Sequence, residues 1–535
     1  MTTIDRPNIL LIQADQLSAA ALGAYGNPTV RAPHIDGLAR DGVVFERAYC
    51  NSPLCAPSRA SMLAGDLPSA IGVYDNAAEF PAAVPTFAHI LRAAGYRTSL
   101  VGKMHFIGPD QLHGFEERPM TDVYPADFGM IPDWRLADEE RLPWYHDTRS
   151  IGGADPSLAT IQRDYDDAVT FHARRALTDF VRDRIAGRDE RPFLLVASFI
   201  APHDPYEPPQ EQWDRYEGVP IDPPAVPDLP EEAIDPHSRR LRAMCELDVA
   251  PPTPEEVERA RRGYYACVSY LDDQVGAILA TLDELGLRES TVVVFTSDHG
   301  DMLGERGLWY KMAPFEDSAR VPLIVRAPGR FPGGGRRIRR TVSLVDLLPT
   351  FAELAGAERT DAWPTAGTSF VGLLADPSAD GEAAASWPDR AVIEYLAEGV
   401  RAPQVTLVRG RYKLVVCPGD PDLLYDLDAD PRELRNLAED PAHAEVLRQL
   451  REELLAGYDL DALAARVRRS QEERRLVHAA LTAGRPTAWD HAPASDAAEA
   501  YVRGDFWTAI ERGQLKAPVV AGASATPGDR ARPQT

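Results

Sequence analysis

Four short apolar runs, each ending at ionisable residues, constrain this chain more than any other feature. Residues 9–12 (ILLI) run to Asp15, and residues 97–101 stop at Gly102-Lys103-Met104-His105. Residues 191–200 (RPFLLVASFI) stop at Ala201-Pro202-His203-Asp204, and residues 291–296 (TVVVFT) at Ser297-Asp298-His299-Gly300. Runs this short and this uniformly apolar read as buried parallel strands. The text between them is helical over 86–95 and over the long stretch 255–285, and residues 321–325 make a further short strand. Such alternation predicts an α/β fold with a large, mixed, mostly parallel sheet flanked by helices. Open sheets of that class hold their ligands outside the carboxyl ends of the strands. Asp15, Lys103, His105, His203, Asp298 and His299 are therefore expected to converge on one sheet edge.

Past about residue 375 the pattern changes. Residues 391–395, 404–408 and 411–417 are short β-type runs with Arg409-Gly410 as a turn, which predicts a smaller C-terminal α+β domain with an antiparallel sheet. Residues 433–475 are charged and helical by pattern, and the last twenty or so are small, polar and proline-rich, a composition that predicts disorder. The length of 535 residues allows about three domains, or one large core with an accessory lobe.

Net charge is −25 at pH 7. That field repels nucleic acid and anionic membrane, so neither is expected as a partner. No stretch approaches the ~20 apolar residues that span a bilayer, and the apolar run near the start is too short for a secretory leader, so a cytoplasmic protein is expected. Five cysteines without close pairs suggest neither a disulfide framework nor a zinc site. Four lysines stand against 53 arginines. A retained lysine then marks a place where a compact ammonium is needed and a planar fork does not fit. Lys103 and Lys311 both fall inside the densest polar motifs.

The sharpest motif is Ser52-Pro-Leu-Cys55-Ala-Pro57-Ser58-Arg59, just ahead of the helical text at 60–63. A reactive side chain at a helix N-terminus, with Arg59 as a forked anion binder, suits an anionic ligand. On residue chemistry alone Cys55 is a thiolate nucleophile, a metal ligand or a core residue.

C-x-P-S-R in this setting resembles the sulfatase family. The resemblance extends over PNILLIQAD near the start, GKMH at 102–105, PHDPY at 202–206 and FTSDHGDMLGERGLWYKM at 295–312. Within the family the chain is most similar to the choline type, through Asp15-Gln16, LCAPSR, VYDNAAEF at 73–80 and GPDQLHGFEER at 108–118. A tail carrying Arg474-Arg475, Val477, Trp489-Asp490-His491 and Tyr501-Val502-Arg503 extends that likeness. The resemblance implies an alkaline-phosphatase-like fold and hydrolysis of a sulfate monoester, choline-O-sulfate before other alkyl or aryl sulfates. A phosphonate or phosphate monoester hydrolase of the same superfamily is the competing reading.

The same resemblance implies that Cys55 is oxidised to formylglycine by a formylglycine-generating enzyme. One hydroxyl of the hydrated aldehyde attacks sulfur and displaces the alcohol; the second then collapses to the aldehyde and expels sulfate. It further implies one divalent cation, calcium with magnesium or manganese as alternatives, held by Asp15, Gln16, Asp298, His299 and the modified residue 55. Lys103 and Lys311 are implied as sulfate binders, Arg59 as orienting the nucleophile, and His105 and His203 as base and acid. Asn76, His146 and Glu398 are implied to bind substrate. Two departures from the choline type stand out: an aromatic position reads Met130, and the tail carboxylate has no counterpart at Asp505-Phe506-Trp507. The expected division is a catalytic domain at 1–380, an antiparallel-sheet subdomain at 381–470, a choline-type tail at 471–515 that promotes a homodimer or tetramer, and a disordered end at 516–535.

Overall fold

The computed structural model describes residues 6–493, apart from 137–139, 358–364, 377, 379–381 and 486–487. The tail residues beyond 493, among them Tyr501, Arg503, Asp505 and Trp507, lie outside the described residues, as does Lys516. The chain divides into two compact units, one of Met1–Leu177 with Arg191–Pro493 and a second of Thr178–Glu190 with Ala494–Thr535. The fold and site below belong to the first.

Seven strands form its large sheet: β1 (Asn8–Asp15), β2 (Val43–Tyr49), β3 (Arg97–Gly102), β4 (Phe193–Pro202), β5 (Thr291–Ser297), β6 (Arg320–Arg326) and β7 (Arg336–Ser343). Their order is β3-β4-β1-β5-β6-β2-β7. All neighbours are parallel except β6, which runs against both β5 and β2. The four apolar runs read from sequence are therefore adjacent, as β3-β4-β1-β5. Every residue of β1 and β5 is buried, which a run of Ile, Leu, Val and Phe tolerates only when both faces are covered.

The site depends on two long-range placements. Helix α1 (Cys55–Ala64), buried along its whole length, begins at Cys55 itself, five residues before the helical text suggested. Helix α2 (Pro254–Glu284) packs on β4 and starts with a capping box in which Thr253 and Glu256 satisfy each other's backbone N–H groups.

The second sheet is antiparallel, with order β11-β10-β9-β8 over β8 (Arg390–Tyr395), β9 (Gln404–Arg409), β10 (Tyr412–Val416) and β11 (Leu423–Asp426). Val405, Leu407, Leu414 and Leu424 pack there with Leu450 and Leu454 of helix α3 (Ala444–Leu455). The expected helix over 433–475 is in fact a loop followed by two helices. Pro441 starts a short turn, and Asp459 caps α4 (Leu460–Thr482) by accepting from the Ala462 N–H. No helix among the described residues is long and apolar enough to cross a membrane.

Candidate active site

Adjacent parallel strands lie about 4.8 Å apart, so residues at their carboxyl ends meet. Asp15 ends β1, Lys103 follows β3, His203 follows β4, and Asp298-His299 follow β5. Gly102 makes the first turn possible. Its φ is +103°, and a Cβ there would lie 2.0 Å from the Ser198 carbonyl oxygen of the neighbouring strand.

At the centre, Lys103 Nζ is 2.5 Å from Asp15 Oδ2. Arg59, fully buried on α1, braces both carboxylates: Nη2 donates to Asp15 Oδ2 at 2.7 Å and Nε to Asp298 Oδ2 at 2.7 Å. Its Nη1 donates to the Lys103 carbonyl and Ser198 Oγ, which uses the whole fork. The Cys55 sulfur lies 3.3 Å from His299 Nε2 and 3.9 Å from both Lys103 Nζ and Asp15 Oδ1. Burial works against a thiolate here, but Lys103, Lys311 and His299 override it and hold the thiol well below its ordinary range. The remaining cysteines, Cys50, Cys245, Cys267 and Cys417, are buried and free.

One ligand atom each from Asp15, Cys55, Asp298 and His299 lies within 4.8 Å of the others. Burial pushes the Asp298 carboxyl above its usual value; Arg59 pulls it back, Asp15 adds to the push, and the balance stays high. Two buried carboxylates under mutual repulsion, with an imidazole beside them, are a donor set that a divalent cation relieves, and their oxygen-rich character suits a hard ion. Gln16 is placed differently. Its Oε1 accepts from Lys311 Nζ at 2.7 Å, and its Nε2 donates to Asp301 at 2.7 Å and Asp204 at 3.2 Å. A lysine can only donate and ionised carboxylates only accept, so the amide orientation is fixed by chemistry.

Lys311 reaches the same edge from the loop after β5. Its Nζ donates to His203 Nε2 at 2.6 Å and lies 3.4 Å from His146 Nε2. His203 Nε2 therefore accepts, and its Nδ1–H donates to the Asp204 carbonyl at 2.7 Å. His146 lies against Tyr310, ring centroids 4.6 Å apart and tilted by 38°, and burial, followed by Lys311, pushes its pKa down to about 3. His105 is buried against Tyr124, ring centroids 4.9 Å apart, with neither ring nitrogen hydrogen-bonded among the described residues. Asn76 Oδ1 accepts from the Ala56 N–H at 2.9 Å, capping α1 from a distant segment and leaving its amide nitrogen as the group to offer. Glu398 is buried with Oε2 unpartnered, and burial, with Asp75 adding to it, pushes its carboxyl up to about 7. Met130 and Trp489 each pack against a buried cluster of Ala77, Ile107, Phe128 and Ile131. His113 is stacked on Phe80 at 4.3 Å within a phenylalanine-rich packing.

Several residues that hold this geometry were missed from sequence. Asp122 Oδ2 accepts the backbone N–H groups of both Met104 and His105 at 2.8 Å, and Tyr124 lies under Lys103 Nζ, 4.5 Å from its ring centroid. Asp301 accepts from Gln16, Tyr206 and two backbone N–H groups, and Asp204 binds Ser150 as well as Gln16. Gln16, His105, Tyr310 and Met312 all have positive φ, a backbone cost of roughly 1–3 kcal/mol each that clusters at functional sites.

A sulfatase family model matches residues 7–357. A model described as N-sulphoglucosamine sulphohydrolase, C-terminal, matches 304–458, and one described as choline sulfatase enzyme C terminal matches 465–512. Choline-sulfatase of Rhizobium meliloti (strain 1021) is 44% identical over 94% of this chain and 96% of its own length. Iduronate 2-sulfatase of Mus musculus is 34% identical over 66% of this chain and 69% of its own. Among solved structures, the phosphonate monoester hydrolase of Agrobacterium radiobacter superposes with a TM-score of 0.65 at 26% identity, covering 86% of this chain and 96% of that one. Taken with the geometry, these likenesses establish that the chain belongs to the sulfatase family and is a sulfuric ester hydrolase.

Proposed function

We propose that this chain hydrolyses choline-O-sulfate to choline and inorganic sulfate through a formylglycine made from Cys55. The observation that carries the reading is the position of residue 55. It opens a buried helix at the end of the sheet, with His299, Asp15 and Lys103 within 3.9 Å of its sulfur. A divalent cation, calcium with magnesium or manganese as alternatives, held by Asp15, Asp298, His299 and residue 55, would supply charge neutralisation for the sulfate oxygens. Lys103 and Lys311 add two ammonium charges on the same edge, and the N-terminus of α1 adds its backbone dipole.

His105, close enough to Cys55 to help hold its thiol low, is the base that takes the proton from the nucleophile. His203 is the acid for the leaving alcohol. Its Nε2 accepts from Lys311 Nζ at 2.6 Å in this structure, so the acid is the imidazolium form, which takes up a proton at Nε2 when the substrate sulfate draws the Lys311 ammonium away. Glu398 supplies the carboxylate for the trimethylammonium group, with His146 lining the same pocket. Gln16 acts by holding Lys311 between His203 and the carboxylates. Maturation calls for a formylglycine-generating enzyme, and the chain works as a homodimer or tetramer in the cytoplasm.

The test is sulfate release from choline-O-sulfate against an aryl sulfate, with mass analysis of the peptide around Cys55. Conversion of the thiol to an aldehyde and a preference for the choline ester are expected. An unmodified thiol in active enzyme overturns the nucleophile, and indifference between the esters overturns the substrate. The fold shared with a phosphonate monoester hydrolase favours a second reading, tested by the rate on a phosphonate monoester of the same alcohol.

A further inference from the structure

Beneath Asn76 lies an ion pair that the catalytic reading does not use. Asp75 is fully buried, and Arg474 of α4 grips it with both ends of its fork, Nη1 to Oδ1 and Nη2 to Oδ2, each at 2.7 Å. The third edge of that guanidinium is also committed, since Nε donates to the Ser470 carbonyl and hydroxyl at 3.2 and 3.1 Å. Asp75 in turn shapes the backbone that carries Asn76. Its Oδ1 takes the Ala77 N–H at 3.0 Å and its carbonyl takes the Ala78 N–H at 3.1 Å, which closes a tight turn around residue 76. Asn76 is thus held between that turn and the Ala56 N–H of α1. The same helix reaches the neighbouring wall. Gln471 Oε1 accepts from the Trp134 N–H, and Arg475 donates to the Pro132 carbonyl and pairs with Asp133.

We propose that Asp75 and Arg474 are a positioning pair through which α4 aims the amide nitrogen of Asn76 at the sulfate subsite at the start of α1. The proposal rests on the reading that sulfate binds there. A buried carboxylate fixed on three sides cannot drift, so the turn it forms presents Asn76 in one orientation. A lysine at 474 keeps the charge and loses the fork, which leaves the turn free to rotate.

The experiment is a double-mutant cycle on the full-length enzyme with Arg474→Lys and Asn76→Ala. It reads kcat and KM on an aryl sulfate and the competitive inhibition constant of inorganic sulfate, with circular dichroism and Tm as checks on folding. Each single variant is expected to raise KM and the sulfate inhibition constant together by about tenfold, the effect of a lost hydrogen bond to a charged ligand, with kcat within about threefold. The double variant is expected to be no worse than Asn76→Ala alone. Additive losses, or unchanged sulfate binding in a folded Arg474→Lys protein, overturn the proposal. Should Arg474→Lys not fold, Asp75→Asn takes its place in the cycle. Binding of inorganic sulfate to a Cys55→Ala background, measured by calorimetry, tests the pair even if no ester proves to be a substrate, so failure of the pair and failure of the reaction are separable.

Discussion

Lys103 sits between Asp15 and residue 55, fully buried, 2.5 Å from the carboxylate. A guanidinium is wider and flatter than an ammonium, and Arg59 already places one guanidinium on the same oxygen, Asp15 Oδ2. Lys103→Arg is therefore expected to lower kcat/KM by about 10²-fold while the protein stays folded, the scale of losing one electrostatic contact in a preorganised site. Near-normal kinetics would end that argument. All three described lysines are buried and paired, Lys413 with Glu316 and Glu433, so scarcity does single out structured positions, though only two of them are at the site. Glu398 allows a second test. Its carboxyl is raised to about 7, so it is neutral in acid and anionic above that value; Asp75 opposes ionisation and Lys311 favours it. A trimethylammonium group prefers the anion. KM for choline-O-sulfate is expected to fall by several-fold, up to about tenfold, as pH rises from 6 to 8, relative to KM for an aryl sulfate that lacks a cationic group. Glu398→Gln should flatten that ratio. A ratio independent of pH in the unaltered enzyme would remove Glu398 from the pocket.

At the scale of elements, the site is the meeting of four strand ends with one helix start, and the strand ends were readable because uniformly apolar runs announce themselves. What surrounds them was not. β7 reads RRIRRTVS, an edge strand whose charged face hides its period, and β2 carries Glu46 and Arg47 in its middle. The reversed direction of β6 leaves no trace in VPLIV, since an apolar run carries no polarity. Asp122 was equally hidden. It is an acid in irregular text, and only folding shows its Oδ2 accepting the N–H groups of Met104 and His105. Burial pushes its carboxyl up, and Arg118 and His105 reverse this to leave it below the ordinary range, which keeps the acceptor ionised. Asp122→Asn weakens both bonds at the turn that aims His105. It is expected to lower kcat by about tenfold with little change in KM, since the base and not the sulfate subsite is displaced. Equal loss in KM would instead mean that Lys103 had moved.

For the molecule as a whole, charge and burial pull stability in a defined direction. Burial pushes the carboxyls of Asp166, Asp317 and Asp346 up to about 7, so the native state favours their protonated forms. Their contribution is complete below the ordinary carboxylate pKa and is lost as pH rises through about 7. His113 and His146, pushed down to about 4 and about 3 by burial, act oppositely: their contribution is present above the ordinary imidazole value and is lost as pH falls through the lowered one. The net charge of −25 grows further from neutrality on the alkaline side, and self-repulsion grows with it. Tm should therefore peak on the acid side of neutrality and fall by roughly 5 °C between pH 6 and pH 8 at low salt. Moderate salt should restore only part of that fall, because it screens the surface field and leaves the buried carboxyls unscreened. Complete recovery at 0.2 M salt would show that surface repulsion alone sets the trend. A Tm that rises toward pH 8 would show instead that the buried acids are ionised at little cost, and that the arginine-rich interior solvates them better than their burial suggests.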